Sequence, residues 1–249
     1  MSKAPTPPAP LIWSQPPAPR RTRSLDREEI VRRAIEVADS GGLGALTMSA
    51  VAQRLGSYTP MALYRYVHSK DGLVDLILDA VTAEVETGPA PSGDWRDDLR
   101  TLALRSWAMV MRHPWYAQLV HTRPPAGPHM MARTEFALAV LDREGVPVAT
   151  ALAYVALIDR HIFGNGLQEA EERRMRERYG LDTVEKFLTA LTPFRDLATA
   201  DDRYPNLARW LQEPVGASVD EQFELGLDCL LDGIAARLPS RTQDSRRDS

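Results

Sequence analysis

Hydrophobic side chains recur at helical spacing along most of the chain. In residues 30–38 they stand three and four positions apart, which places them on one face of an α-helix. Asp26, Thr47, Thr59 and Ser69 each precede such a stretch, where a short oxygen-bearing side chain caps the first turn of a helix. No stretch alternates between apolar and polar positions as a half-buried strand does. The pattern predicts an all-α protein.

Segments rich in proline and glycine divide this helical pattern. The proline-rich first residues end in the basic run Arg20-Arg21-Thr22-Arg23, which predicts a disordered arm with a basic tip. A Gly-Pro-Ala-Pro-Ser-Gly loop at residues 88–93 separates two helical parts. The sequence therefore predicts an arm, an amino-terminal helical domain, a carboxy-terminal helical domain and a disordered polar tail, over residues 1–24, 25–87, 94–238 and 239–249.

The first helices of the amino-terminal domain have the arrangement of a helix-turn-helix motif. Gly56 lies in the turn before a short third helix, which Thr59 and Pro60 begin. Such a helix enters the major groove of DNA, where side chains near its start reach base edges and backbone amides meet phosphates. We expect DNA contacts from the residues that cap or line this motif, namely Thr47, Tyr58, Thr59, Met61, Tyr64, Arg65, Tyr66 and Lys70.

Packing competes with DNA contact at several of these positions. Leu63 and Val67 lie four residues apart and are expected in the core. Tyr64 and Tyr66 cannot both point inward, so at least one of them is expected to face the DNA. Met61 suits packing as well as it suits contact with a thymine methyl group.

Charge is divided unevenly between the two ends of the chain. The 249 residues include 30 basic and 34 acidic side chains, and the net charge of −4 by itself disfavours a nucleic-acid partner. Residues 1–70, however, hold ten basic and five acidic side chains, which leaves 20 and 29 for the remainder. A basic module on an acidic body is typical of a protein that faces a polyanion, although a solvated surface with a chance imbalance gives the same count.

Two stretches, Leu46–Gly56 and Met61–Lys70, resemble the DNA-binding domain of the tetracycline-repressor (TetR) family. The resemblance spans residues 25–85. The family's third-helix pattern of a Leu-Tyr pair, an aromatic residue, Val and Lys falls on Leu63, Tyr64, Tyr66, Val67 and Lys70. The turn before this helix has one residue more than the family usually has, which leaves open whether Tyr58 or Thr59 lies in the turn.

This resemblance implies a two-domain, all-α homodimer whose carboxy-terminal domain binds a small molecule and dimerises. Residues 113–115, 123–128 and 163–169 are similar to the tetracycline-repressor type of carboxy-terminal domain. Repression, a palindromic operator of double-stranded DNA and release by an effector of unknown identity follow as expectations from the resemblance.

The long helix predicted from Val148 onward has a face that suits a small ligand. Side chains on that face recur at spacings of four and three, and they combine apolar bulk with hydrogen-bonding groups. With apolar walls from two earlier helices, the expected ligand contacts are Trp107, Met111, Phe136, Tyr154, Ile158, His161 and Asn165. The same face suits a satisfied core or a subunit interface equally well.

The last helix, predicted over residues 219–238, has a broad apolar stripe with glycines alongside. Small residues allow two helices to approach closely, and a two-fold interface would match a palindromic operator. The expected interface residues are Phe223, Gly226, Leu227, Leu230, Gly233 and Ile234. A helix buried within one subunit has a similar pattern.

Other classes of protein receive little support. No apolar run approaches the roughly 20 residues of a membrane span, and seven prolines interrupt the first 19 residues, so we expect a cytoplasmic protein with no membrane partner. The single cysteine, Cys229, excludes an internal disulfide and a paired-cysteine metal site. Motifs of enzymes are missing from the sequence, so we expect no catalytic residue, metal or cofactor. A constitutive architectural DNA-binding protein is the remaining alternative.

Overall fold

The computed structural model describes residues 10–16, 25–56, 58–124, 126–200, 203–212 and 218–239. Every long regular element within these ranges is an α-helix, which confirms the predicted fold class. In chain order the helices are α1 (Arg27–Ala45), α2 (Met48–Arg54), α3 (Pro60–Val67), α4 (Lys70–Thr82), α5 (Trp95–Arg112), α6 (Tyr116–Leu119), α7 (Pro128–Asp142), α8 (Val148–Tyr179), α9 (Val184–Ala190), α10 (Thr192–Thr199), α11 (Pro205–Gln212) and α12 (Val219–Ala235). No helix in the described ranges is long and apolar enough to cross a membrane.

Side-chain caps begin the four helices of the head, the name used below for residues 25–85. Asp26, Thr47, Thr59 and Ser69 each accept a hydrogen bond from the backbone amide three residues further on, at 2.8–3.4 Å. Each cap satisfies an amide that the helix itself leaves without a partner. The regular path of α1 breaks at Gly42, whose φ of 67° lies in the left-handed region that favours glycine.

Helix α4 lies in the head and also packs against the body, the name used below for residues 95–239. Within the head it packs against α1 and α3 around a core that includes Ile30, Leu63 and Val67, all 0% exposed. The core positions predicted for Leu63 and Val67 are confirmed. The other side of α4 packs against α5, α6 and α7, so α4 connects the core of the head to the body.

The 32-residue helix α8 is central in the body. It packs against α5, α6, α7 and α12, and the buried side chains of Leu102, Ile162 and Leu227 belong to the common hydrophobic core. After α8, helix α10 packs against both α9 and α11.

Part of the predicted disordered arm is ordered against α4. Residues Ile12–Ser14 form a short 3₁₀ turn, and the side chain of Ile12 is buried. The backbone N–H of Ile12 donates to Asp75 Oδ2 at 3.1 Å, and the ring of His68 lies 3.2 Å from the Pro16 carbonyl oxygen. The prediction of disorder is therefore wrong for residues 10–16, because the buried Ile12 side chain and its backbone hydrogen bond to Asp75 hold this segment against α4. The basic tip at residues 20–23 and the tail from residue 240 lie outside the described residues.

Candidate DNA-binding and ligand-binding sites

Three of the eight residues predicted to contact DNA are exposed on the outer surface of α3 or at its cap. Thr59, Met61 and Arg65 are exposed on this helix, Met61 with 74% of its surface. Thr47 and Lys70 are exposed at the starts of α2 and α4, on either side of α3 in sequence. These residues supply two cations, two hydroxyl groups and an apolar tip. Cations and hydroxyl groups bond to phosphates and base edges, and an apolar tip contacts the methyl group of thymine.

Tyr66 is the predicted contact that the structure removes from this surface. It is only 6% exposed, because it lies three residues after Leu63 and therefore on the core side of α3. Its carbonyl oxygen accepts a hydrogen bond from Arg27 Nε at 3.0 Å. Tyr58 and Tyr64 are half-buried against the core. Of Tyr64 and Tyr66, only Tyr64 therefore keeps exposed surface that could face the DNA.

A cavity of about 110 Å³ lies where α4 meets the body. Its wall takes at least one side chain from each of five helices, namely Thr82 of α4, Met109 of α5, Tyr116 of α6, Arg133 of α7, and Asp159 and Phe163 of α8. A concave, mostly apolar space with a few convergent polar groups at a domain interface is the usual form of a small-molecule site.

The polar groups of this wall are held by hydrogen bonds. The hydroxyl oxygens of Thr82 and Tyr116 are 2.8 Å apart and join α4 directly to α6. Burial raises the pKa of Tyr116, so its hydroxyl stays neutral at physiological pH. Arg133 donates from Nη2 to Asp159 Oδ1 at 2.7 Å and from Nε to Ser106 Oγ at 3.1 Å.

None of the seven residues predicted to bind a ligand lines this cavity. Trp107 and His161 stack instead on Phe223 of α12, with ring centroids 4.3 and 4.7 Å away, and Asn165 bonds to His161. Ile158 is buried in the core. Among the remaining predicted residues, Met111, Phe136 and Tyr154 are partly buried against that core.

The seven predicted ligand residues lie on helices α5, α7 and α8, on faces that pack in the core. Met109 lies two residues from Trp107, and Asp159 lies next to Ile158, so the cavity is on an adjoining face of the same helices. A helical repeat identifies which residues share a face but not which face meets empty space. Tyr116 and Arg133, which do line the cavity, were missed for that reason, although Tyr116 directly follows the His113-Pro-Trp motif that the sequence singles out.

The predicted dimer interface on α12 is also turned inward. Phe223, Leu227 and Ile234 are at most 2% exposed within a single chain, so they are not available to a partner. A Cβ atom on Gly226 would lie 2.4 Å from the His161 ring, which shows that this glycine serves close packing inside the chain. Leu230 and Gly233 are partly exposed. The prediction is wrong for the buried residues because an apolar stripe packs equally well against its own chain or another.

The ionic contacts between head and body all have the same distribution of charge. The head supplies carboxylates, and the body supplies the basic side chains that contact them. Asp75 accepts a bidentate pair of hydrogen bonds from Arg123, with Nη2 to Oδ2 at 2.9 Å, and Asp79 lies 2.8 Å from the His129 ring.

A third contact lies at the far ends of α1 and α4. The buried ring of His113 lies between Asp39 at 2.7 Å and Glu84 at 3.1 Å, and the Trp115 indole donates to Asp39 at 2.6 Å. The head holds six basic and nine acidic side chains, and it presents carboxylates to the body. Sequence patterns did not indicate these pairs because their partners lie at least 29 residues apart.

Comparisons with known proteins agree with this architecture. A family model described as the tetracyclin repressor-like C-terminal domain matches residues 87–238. The HTH-type transcriptional repressor DrrR1 of Streptomyces coeruleorubidus is 34% identical over 241 residues, which cover 94% of this chain and 87% of that protein. The class A tetracycline repressor protein from transposon 1721 of Escherichia coli is 28% identical over 86% of this chain and 92% of its own length.

A solved structure has a similar fold over nearly its full length. The TetR family protein ActR of Streptomyces coelicolor, in complex with actinorhodin, superimposes with a TM-score of 0.70 and 27% identity over 86% of this chain and 98% of that one. The family model covers more than half of the chain, and the 34% identity extends over almost all of it. This chain belongs to the tetracycline-repressor family of helix-turn-helix transcriptional regulators.

Proposed function

We propose that this protein is a homodimeric repressor, and that a small molecule in the cavity between α4 and the body releases it from a palindromic operator. One observation carries the proposal: α4 begins at Lys70 beside the DNA-facing helix and ends at Thr82 in the cavity wall. A 13-residue helix is about 20 Å long, so a single rigid element connects the two sites.

For the DNA side, we propose contacts from Thr47, Thr59, Met61 and Arg65, with Lys70 on a phosphate. Helix α3 starts at Pro60 and is capped by Thr59, and the side chains of Thr59 and Met61 at its start are exposed. Tyr58 and Tyr64 can add contacts from the exposed parts of their rings. Tyr66 is left out because it is buried.

The size of the cavity supports coupling between ligand and DNA. At about 110 Å³ it is smaller than the roughly 300–1,000 Å³ of typical ligand sites. A ligand of ordinary size must therefore expand it, and expansion shifts α4 because Thr82 of that helix lies in the cavity wall. To move nearly all molecules to the released form, the ligand must bind that form about 10⁴-fold more tightly.

The proposed dimer interface is the outer face of α8 and α12. These helices pack against each other, and their outer faces expose Leu152, Leu157 and Leu225 to 48, 42 and 67%. Exposed leucines on adjacent helices favour a helical bundle with a second copy of the chain. Replacing Leu225 by Arg should yield monomers in sedimentation, whereas Met61→Arg, at a similarly exposed position of the head, should leave the dimer intact.

Binding to the DNA that flanks the protein's own gene tests the proposal. Fluorescence anisotropy should show sequence-dependent binding that weakens steeply with salt, because phosphate contacts release counterions. A small-molecule screen should find compounds that raise the melting temperature and reduce DNA binding together. Absence of sequence-dependent binding would contradict a repressor, and binding that no compound relieves would favour a constitutive architectural protein.

A further inference from the structure

The hydroxyl groups on one side of the cavity have already used their protons. Thr82 Oγ donates to the Leu78 carbonyl at 2.8 Å, so in the 2.8 Å contact with Tyr116 the tyrosine must be the donor. Both protons are therefore engaged within the protein. This side of the cavity can accept a hydrogen bond from a ligand but cannot donate one without breaking the contact between α4 and α6.

The ion pair of Arg133 and Asp159, on another part of the wall, has both a hydrogen-bond donor and an acceptor that are not used within the protein. The Arg133 side chain is 91% buried, and Ser106 and Asp159 take one proton each from Nε and Nη2. Among the described residues no acceptor bonds to Nη1 of Arg133, and no donor bonds to Oδ2 of Asp159. A buried guanidinium with unfilled donors and a carboxylate with an unfilled acceptor stand side by side.

The charge of this pair sets limits on the ligand. An anionic ligand is attracted by Arg133 but repelled by Asp159, and a cationic ligand is attracted by Asp159 but repelled by Arg133. Neither charge therefore gains net electrostatic binding energy from the pair. A single hydroxyl group on the ligand can bond to both residues. Its oxygen accepts a hydrogen bond from Arg133, and its O–H donates a hydrogen bond to Asp159.

The rest of the wall suits an aromatic ring. The rings of Tyr116 and His121 lie 5.7 and 5.6 Å from the ring of Phe163, and Met109 and Met130 add flexible thioether side chains. Aromatic and sulfur-containing side chains pack well against flat rings and adjust to their edges.

We propose that the cavity binds a neutral, hydroxylated aromatic molecule whose hydroxyl group bridges Arg133 and Asp159. The assignment rests on the proposed function, since it names the ligand class for the same cavity. It also specifies the polar contact that selects the ligand, which a purely apolar cavity lacks.

A matched set of naphthalene derivatives tests the assignment on the full-length protein. The probes are 2-naphthol, naphthalene, 2-naphthoate and 2-naphthylmethylamine, titrated against the protein by calorimetry and followed in the DNA-release assay. We expect 2-naphthol to bind roughly 10- to 100-fold more tightly than naphthalene, the usual effect of hydrogen bonds to charged groups. The naphthoate anion and the ammonium cation should bind no better than naphthalene.

A double variant separates the polar contact from the shape of the cavity. Arg133→Met with Asp159→Leu replaces the pair by apolar side chains and leaves no orphaned charge, which preserves folding in comparable cases. In this variant 2-naphthol should lose its advantage over naphthalene, while naphthalene binding is kept or strengthened. Circular dichroism and the melting temperature confirm that the variant is folded.

The outcomes distinguish the ligand class from the function. Equal binding of 2-naphthol and naphthalene, or preference for the naphthoate, overturns the hydroxyl bridge and leaves the repressor proposal intact. An unchanged preference for 2-naphthol in the double variant overturns it as well. If none of the probes binds and no compound in the broader screen releases DNA, the cavity is not an effector site and both proposals fail.

Discussion

The ion pair between Asp75 and Arg123 allows a quantitative test of how head and body are held together. The Asp75 side chain is 1% exposed and that of Arg123 is 7% exposed, and the hydrogen bond to Asp75 raises the pKa of Arg123. Arg123→Met removes the charge but keeps most of the volume. It leaves a buried carboxylate that still accepts a hydrogen bond from the Ile12 amide at 3.1 Å.

Removing one partner of a buried ion pair lowers the free energy of unfolding by about 3–5 kcal/mol. Because the Ile12 amide still bonds to Asp75, we expect a loss at the lower end, about 3 kcal/mol. For a protein of this size that corresponds to a fall in melting temperature of about 6–12 °C. Urea unfolding and calorimetry at a fixed protein concentration measure both quantities.

Two further variants control for other effects of the substitution. Arg174→Met breaks an exposed pair with Glu171 and should cost less than about 1 kcal/mol. The double variant Asp75→Leu with Arg123→Met removes the orphaned carboxylate and should recover most of the loss. If Arg123→Met destabilises no more than Arg174→Met does, the pair does not hold the domains together and the reasoning is refuted.

Five other variants give simpler tests. Arg65→Ala should weaken operator binding roughly 10- to 100-fold in anisotropy without lowering the melting temperature, whereas Tyr66→Ala should cost about 3–5 kcal/mol of unfolding free energy because its ring is buried. Burial raises the pKa of Tyr116 above its usual value of about 10, so the native state loses stability as the pH rises above about 10, and Tyr116→Phe should remove that part of the loss in urea unfolding at pH 9 and pH 11. Gly226→Ala should destabilise α12, because the His161 ring lies 2.4 Å from the new methyl group, whereas Gly233→Ala meets nothing closer than 3.9 Å and should stabilise the helix by about 0.5–1 kcal/mol in thermal unfolding.

Each of these tests has a contrary result. A folded Tyr66→Ala protein that has lost only DNA affinity would mean that Tyr66 faces the operator. Identical losses between pH 9 and pH 11 in the wild type and Tyr116→Phe would show that Tyr116 contributes nothing to the alkaline loss. Equal effects of alanine at Gly226 and Gly233 would mean that α12 does not approach His161 closely.

The local pattern of the sequence was enough to predict the head. Caps at Asp26, Thr47, Thr59 and Ser69 act on amides three residues away, so the residues that form them are near neighbours in the chain. The buried pair Leu63 and Val67 follows from one turn of helix spacing in the same way. The exposed part of α3 could be predicted for Thr59, Met61 and Arg65, whereas Tyr66 required knowing which side of the helix the core occupies.

Tertiary structure decided the cavity, the ionic contacts between head and body, and the orientation of α12. Thr82, Arg133 and Asp159 come together from three helices, and the partners Asp75 and Arg123 are 48 residues apart. Periodicity gives the apolar face of a helix but not the neighbour that covers it, which is why Phe223 was predicted at a dimer interface and instead stacks on Trp107 of its own chain. The sequence by itself determined the helices and their caps, because these depend on contacts within one turn. Where the helices leave a space or meet a partner depends on how all of them pack, and that information is not local in the chain.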